Sequence, residues 1–296
     1  GAVAAKDPAS EVATWLWRGA PAGLDAEFTE IEETLPRIPP DATLTPESLE
    51  TDPNTFSNHG DFDDDGDTGD IVCGYVQKGW LKAFNSFQAL STYVQGHPIL
   101  NKFACLSKEK WDPVSAKYTT KRRLIMDSKR SMVKEASNKS YRSVLPRVTD
   151  ACNDIVHLLD GVSPGEHCRM LVLDAQEAFW NIPLRHCERR YYCGRIRLDG
   201  HDKYVTCLRT AQGSRGAPLS WAVIFSLIGR CVLSTLRETC RLDSVLSAAM
   251  QIFVDDPWLA LRLTPEQTAR MTAVVIIAWR LLGVSLAFPK GHFSNR

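Results

Sequence analysis

Two adjacent carboxylates, Asp255 and Asp256, interrupt an otherwise apolar stretch, QIFVDDPWLAL (251–261). The apolar flanks predict two buried strands of a hairpin with the acids at its turn. A third carboxylate, Asp174, follows the apolar run 170–173, which predicts another buried strand. Buried charge is costly, and three clustered carboxylates stay ionised together only beside a multivalent cation. The pattern therefore predicts a cation site.

The ligand type predicts the chemistry of that site. Oxygen ligands favour Mg²⁺ or Mn²⁺ over zinc. Two such ions about 3.5–4 Å apart hold the attacking and leaving oxygens of an in-line phosphoryl transfer. Acids at a turn are also common in ordinary surface loops, so the carboxylates alone leave that interpretation open.

The nine cysteines are scattered, odd in number and include no C-x-x-C pair. This argues against a zinc module or a disulfide framework and for reduced thiols in an intracellular protein. The pairs His167-Cys168 and His186-Cys187 are neighbours in sequence, which rarely point at one ion, so we interpret them as loop residues.

The acidic run DFDDDGDTGD (61–70) matches the first half of an EF-hand loop. Val72 stands at the twelfth position, where an EF-hand needs a bidentate Glu, and no clear entering helix precedes the run. We therefore expect a solvated acidic linker rather than a calcium site.

The net charge of zero hides a strong asymmetry. Residues 1–70 contain 3 Lys and Arg against 17 Asp and Glu, whereas residues 71–296 contain 32 against 18. The basic part predicts a polyanion partner, and the acidic arm is a candidate cover for the basic surface. The composition of the acidic arm predicts largely irregular structure. Trp15 and Trp17 are the residues of the arm that are candidates for docking against the rest of the protein.

Periodicity and turn signals divide the rest of the chain. We predict helices over 79–95, 145–159, 217–236 and 264–283, strands over 122–127, 170–173 and 284–290, and hairpins around 199–200 and 255–256. The expected class is α+β, an antiparallel sheet with packed helices. The apolar runs 222–229 and 273–279 have about half the length of a membrane span, so we expect no membrane contact.

Six motifs resemble those of reverse transcriptases, the RNA-directed DNA polymerases, and occur in that family's order. They are KRRLIMDSKRSMV (121–133), LPRVTD (145–150), LVLDAQEAFWNIPL (171–184), AQGSRGAPLSW (211–221), FVDD (253–256) and LGVSLAFPK (282–290). The resemblance covers about residues 100–296 and looks closest to eukaryotic retroelement polymerases.

The resemblance implies a right-hand polymerase palm, an antiparallel sheet packed on helices, with a fingers subdomain. The implied division is an acidic arm over 1–70, a helical lead-in over 71–105, fingers over 106–160 and a palm over 161–296, with the hairpin 185–210 assignable to either subdomain. Six residues follow Lys290, so we expect no thumb in this chain. The implied context is a longer Pol polyprotein that also carries a thumb and a ribonuclease H.

For catalysis the resemblance implies two Mg²⁺ or Mn²⁺ ions bound by Asp174 and Asp255, with the backbone carbonyl of Ala175 as a further ligand. Asp256 would support the charge beside them. Lys290 matches the position of a general acid for the pyrophosphate leaving group, and an ordinary surface lysine is the alternative.

The resemblance also implies a set of residues around the incoming deoxynucleoside triphosphate. This set comprises Lys110, Lys121, Arg123, Glu177, Phe179, Gln212, Gly213 and Arg215. Phe179 would be a steric gate whose ring excludes a 2′-hydroxyl, and a plain core residue is the alternative. Gly213 would permit close backbone approach to the nucleotide. Either Lys110 or Lys121 would meet the γ-phosphate.

The expected function is therefore RNA-directed DNA polymerisation, which joins dNTP to a primer 3′-hydroxyl on an RNA or DNA template. One alternative is a catalytically silent nucleic-acid-binding remnant, favoured by the expected absence of a thumb and by Pro257, which removes a ladder donor. The other is an RNA-dependent RNA polymerase, which Phe179 disfavours because phenylalanine cannot hydrogen-bond a 2′-hydroxyl.

Overall fold

A computed structural model describes residues 7–29, 31, 34–60, 62–63, 66–112, 116–198, 200–240 and 247–294. Its helices are α1 (Trp15–Arg18), α2 (Gly66–Gln77), α3 (Phe87–Val94), α4 (Val133–Ala136), α5 (Val148–Leu159), α6 (Ala217–Cys240) and α7 (Pro265–Leu281). Its strands are β1 (Leu81–Phe84), β2 (Lys102–Asp112), β3 (Lys117–Asp127), β4 (His167–Val172), β5 (Cys193–Leu198), β6 (His201–Cys207), β7 (Ala248–Phe253), β8 (Asp256–Leu263) and β9 (His292–Phe293). Strand pairs within these elements are antiparallel, which confirms the α+β class.

A four-stranded sheet in the order β7-β8-β4-β9 contains the predicted acid-bearing strands. β7 and β8 form the predicted hairpin, which closes at the pair Phe253↔Asp256. Pro257 lies in β8, and the ladder continues past it as far as Ala248↔Leu261. The proline therefore does not distort the hairpin.

Helices α6 and α7 pack on this sheet and share one apolar core with it. Trp221 and Phe225 of α6 stack at 4.5 Å between ring centroids, and Phe225 meets Trp279 of α7 at 6.0 Å. Burying a large side chain of this kind contributes about 1.5–3 kcal/mol. The helix predicted over 264–283 is α7, which Thr264 caps through a hydroxyl that accepts from the Gln267 N–H.

The segment Ala217–Glu238 of α6 is long and apolar enough to cross a membrane, the one such helix within the described ranges. The apolar run 222–229 is the middle of this helix, which is predicted over 217–236 and extends over Ala217–Cys240. In this fold 56% of the most apolar window is buried inside the protein. A helix in the core of a domain has the same length and composition.

A second core lies under the three-stranded sheet β1-β6-β5 and the base of the long hairpin β2-β3. Phe103 of β2 and Leu124 of β3 are buried there. The ring of Phe103 packs directly on Gly194 of β5, where an added Cβ would lie 2.2 Å from the ring. This contact joins the hairpin to the sheet.

Three element predictions differ from the structure. The range 79–95 contains a strand and a helix rather than one helix, because Leu81 to Phe84 pair with β6 and the Ser86 side chain caps α3. The strand predicted over 122–127 extends over all of β3, since it pairs with the whole of β2. The strand predicted over 284–290 is reduced to a single bridge, Ala175↔Leu286, followed by a 3-10 turn that contains Pro289.

The hairpin predicted around 199–200 is formed by β5 and β6, although Asp199 lies outside the described residues. The acidic linker predicted over 61–70 is wrong in its second half, because α2 begins at Gly66. Two residues of the calcium pattern, Asp61 and Asp65, also lie outside the described residues.

The acidic N-terminal segment has few regular elements, yet its apolar residues are buried. Trp15 is fully buried in the core under α6, whereas Trp17 is 69% exposed. The buried carboxylate of Glu188 accepts hydrogen bonds from the backbone N–H groups of Ala22, Leu24, Asp25 and Ala26. These contacts fix the segment to the body of the protein.

Candidate active site

The backbone of the four-stranded sheet brings Asp174 and Asp255 to one place. Asp174 follows β4 by two residues, and Asp255 lies in the turn between β7 and β8. The Ala175 N–H donates to the Asp255 carbonyl at 2.8 Å, and the Ala287 N–H donates to the Asp174 carbonyl at 2.8 Å. These bonds hold three separate segments together at one edge of the sheet.

The two carboxylate-bearing segments both contain a residue in a disfavoured conformation. Val254, directly before Asp255, has a φ of 57°, in the left-handed region that β-branched residues rarely adopt. Glu177, three residues after Asp174, has a φ of 52°. Non-glycine residues held in this region are typical of functional sites, because the surrounding structure must stabilise them.

A cleft of about 450 Å³ brings together most residues that the sequence singled out. Those that line it are Lys110, Lys121, Arg123, Asp174, Ala175, Glu177, Phe179, Gln212, Asp255 and Lys290. The hairpin β2-β3 supplies three cations, and the edge of the four-stranded sheet supplies carboxylates. Opposite charges on separate elements therefore line one cleft.

The carboxylates at this edge influence one another. The pKa of Asp256 is raised by partial burial and then by the negative charges of Asp255 and Asp174, against which Lys290 acts. The ammonium group of Lys290 forms an ion pair with Asp174. Mutual repulsion of this kind is relieved by a bound cation.

Phe179 lies in a 3-10 turn, Ala178–Asn181, at the floor of the cleft. The Thr210 hydroxyl donates to its carbonyl at 2.6 Å, which fixes the backbone. Part of the side chain also packs against the first core. Phe179 therefore borders both the cleft and the first core.

Three predicted residues are not among those lining the cleft. Asp256 is the exposed first residue of β8. Arg215 forms an ion pair with Asp41 and donates to the Ser137 carbonyl at 2.9 Å, so its charge is directed to the N-terminal segment. Arg215 therefore lies outside the group of predicted triphosphate-binding residues that line the cleft.

Gly213 lies in close contact with strand β3 of the same chain. With a φ of 106°, it packs so tightly on β3 that an added Cβ would lie 2.2 Å from the Met126 carbonyl oxygen. The Met126 N–H donates to the Gln212 carbonyl at 3.3 Å, and the Ser128 hydroxyl donates to the Gly213 carbonyl at 3.1 Å. The glycine is thus needed for joining the Gln212 segment to the hairpin, and it is not among the residues that line the cleft.

An aromatic cluster beside the cleft escaped the sequence reasoning. Trp180 lines the cleft, stacks on Trp80 at 5.4 Å and meets the ring of Tyr75 at 5.2 Å. Burial and the charge of Glu177 raise the pKa of Tyr75 to about 12. Trp80 lies in the range 79–95, for which the sequence predicts a helix, and no local signal in the sequence connects it to Trp180.

The residues present fit an Mg²⁺ or Mn²⁺ site that is completed by substrate. The described residues contain no cluster of three or more His, Cys, Asp and Glu side chains arranged to hold an ion. Mg²⁺ is commonly held by one or two carboxylates together with substrate phosphates and water. Asp174 and Asp255 supply such carboxylates, and the Lys290 ammonium on Asp174 shows that this position accepts positive charge.

Comparison of the sequence with protein-family models and with curated proteins gives no match.

Proposed function

We propose that this chain is the fingers and palm part of an RNA-directed DNA polymerase. The observation that carries the proposal is the cleft itself, which is lined by Asp174, Asp255 and Lys290 together with Phe179 and Gln212. These residues come from four separate motifs, and the order of all the motifs resembles that of reverse transcriptases.

Each part of the cleft has a role in the proposed reaction. The cations of the hairpin bind the triphosphate of the incoming dNTP, and Arg123 is suited to bidentate contact with phosphate oxygens. The ring of Phe179 lies against the sugar and excludes a 2′-hydroxyl. Asp174 and Asp255 would hold two Mg²⁺ ions, which supply activation of the primer hydroxyl and charge stabilisation during phosphoryl transfer.

Lys290 has a second role once substrate is bound. In the free chain its ammonium pairs with Asp174. A cation held by Asp174 and Asp255 would compete with this ion pair, and Lys290, once released from Asp174, would be able to give its proton to the pyrophosphate leaving group. Lys290→Ala is therefore expected to lower kcat more than it raises the KM for dNTP.

The proposal is tested by primer extension with the purified chain. Asp255→Asn is expected to abolish dNTP incorporation, because the amide removes the negative charge that a metal ligand needs. Asp202→Asn, at the exposed start of β6 and outside the set of residues that line the cleft, is the matched control and should retain activity. Wild-type turnover by the Asp255 variant would contradict the proposal.

The alternatives predict other results. A silent remnant would bind nucleic acid in a salt-dependent manner and would gain no thermal stability from Mg²⁺ and dNTP. The regular ladder through Pro257 removes one argument for it. An RNA-dependent RNA polymerase would incorporate NTP in preference to dNTP. The further proposals are a primed RNA or DNA template as partner, an intracellular location and a longer Pol polyprotein with a thumb and ribonuclease H.

A further inference from the structure

The turn that carries Asp255 is held by a side chain from another element. Nε1 of Trp221, in the first turns of α6, donates a hydrogen bond of 2.8 Å to the carbonyl of Val254. Trp221 is 1% exposed, and its ring is stacked on Phe225 in the first core. The donor is therefore held in place by the core and not by the turn to which it bonds.

Val254 is the residue that needs such support. Its φ of 57° puts a β-branched side chain in the left-handed region, where steric repulsion costs about 1–3 kcal/mol. A buried donor that bonds to the Val254 carbonyl stabilises the peptide orientation that this φ produces.

Asp255, the next residue, bears the carboxylate, and its backbone carbonyl is also hydrogen-bonded. The Asp255 carbonyl accepts from the Ala175 N–H at 2.8 Å, one residue after Asp174. The hydrogen bond from Trp221 to Val254 is thus one residue away from the hydrogen bond that joins the two carboxylate-bearing segments. A change of peptide orientation at Val254 would rotate Asp255 away from Asp174.

We propose that Trp221 is a positioning residue, whose indole N–H holds the strained Val254 turn so that Asp255 faces Asp174. The inference rests on the proposed function for its catalytic consequence. Its structural part stands on the hydrogen bond and the backbone angle alone.

Trp221→Phe tests the inference because it keeps an aromatic ring and removes the donor. Trp279→Phe is the matched control, since Trp279 is fully buried in the same core and its Nε1 has no acceptor among the described residues. Amide hydrogen exchange of the Ala175 N–H is measured in the whole chain. We expect Trp221→Phe to accelerate this exchange about tenfold, as for loss of one buried hydrogen bond, and Trp279→Phe to leave it within about twofold.

A second variant separates positioning from general loss of packing. Val254→Gly removes the steric cost of the left-handed turn, because glycine adopts this conformation freely. In the Val254→Gly background the donor is no longer needed, so Trp221→Phe should change the exchange of Ala175 by less than about twofold. Equal effects of Trp221→Phe in both backgrounds, or no effect in either, would overturn the inference.

The catalytic consequence is measured separately by Mn²⁺ binding and primer extension. Trp221→Phe should weaken Mn²⁺ binding about tenfold and lower kcat with little change in the KM for dNTP, because the hairpin cations are untouched. If neither the wild type nor any variant binds Mn²⁺, the proposed function fails while the exchange experiment still decides the role of Trp221. If wild type binds Mn²⁺ and Trp221→Phe binds it equally well, the positioning role is refuted.

Discussion

At the scale of single residues, the ring of Phe179 gives the clearest consequence for substrate choice. Phe179→Val shortens the side chain at the cleft floor and leaves room for a 2′-hydroxyl. We expect the ratio of ribonucleotide to deoxyribonucleotide incorporation to rise at least about tenfold, the usual effect of removing a steric exclusion of this size. Single-nucleotide primer extension with matched dNTP and NTP measures the ratio.

The control for this change is Phe225→Val. Phe225 is fully buried on α6 and does not line the cleft. Its loss should lower the melting temperature and leave the selectivity ratio unchanged. If both variants shift the ratio equally, Phe179 acts through the core and not as a gate.

Sequence reasoning succeeded where a residue's place follows from its own motif. Asp174, Asp255 and Phe179 belong to strand ends and turns whose local pattern is clear, and they line one cleft. Arg215 and Gly213 could not be placed in this way, because their positions depend on Asp41 and Met126, which are distant in sequence. Pairwise contacts of that kind leave no periodic signal.

At the scale of elements, the hairpin β2-β3 offers two lysines for the γ-phosphate. Register puts Lys121 opposite Lys108, with Lys110 opposite Thr119 one step nearer the tip. Lys121 lies directly opposite another cation, whereas Lys110 lies opposite the neutral Thr119, so triphosphate binding relieves more repulsion at Lys121. We expect Lys121→Ala to raise the KM for dNTP about tenfold and Lys110→Ala to raise it less. Steady-state kinetics of the two variants provides the comparison, and the reverse order would assign the contact to Lys110.

The loop over Ala22 to Ala26 depends on one buried carboxylate. Oε1 of Glu188 accepts three of the four backbone bonds and Oε2 accepts the fourth, from Asp25. Glu188→Gln can retain the three bonds and should cost about 1 kcal/mol, whereas Glu188→Ala leaves four N–H groups without acceptors and should cost over about 3 kcal/mol. Urea denaturation of both variants measures the difference. Equal costs would mean that the bonds to the loop contribute little.

Element prediction failed where tertiary pairing overrides a local pattern. The range 79–95 has helical spacing of its apolar residues. Leu81 nevertheless pairs with β6, and this pairing makes the start of the range a strand. The prediction of a final strand over 284–290 failed for the opposite reason. It has the apolar pattern of a strand, but only Leu286 meets a partner, and Pro289 begins a different turn.

At the scale of the whole molecule, the acidic N-terminal segment is attached to the body through ion pairs. Arg230 of α6 donates two hydrogen bonds to Asp7, at 2.6 and 2.9 Å. These bonds lower the pKa of Asp7, against an opposing effect of burial. Because the folded pKa is below the unfolded value, the stabilisation is present above the unfolded pKa and is lost as pH falls through the folded pKa.

Asp7→Asn should therefore lower stability at pH 7 by about 1 kcal/mol, a value reduced by the solvent exposure of Arg230. The difference from wild type should disappear at a pH below the folded pKa of Asp7, where wild type is protonated as well. Melting temperatures across this pH range provide the measurement, with the exposed Glu11 in Glu11→Gln as control. A difference that persists unchanged into acid would mean that the pair is not electrostatic in origin.

The tight contact between Gly213 and Met126 restricts how the cleft can change shape. It joins Gln212 to β3, the strand that also carries Arg123, while the carboxylates belong to a different sheet. Any closing movement of the hairpin therefore carries Gln212 with it as part of one rigid body. A pair of spin labels across the hairpin and the Gln212 segment would keep a constant separation, and a pair across the hairpin and the acid-bearing turn would record the closure.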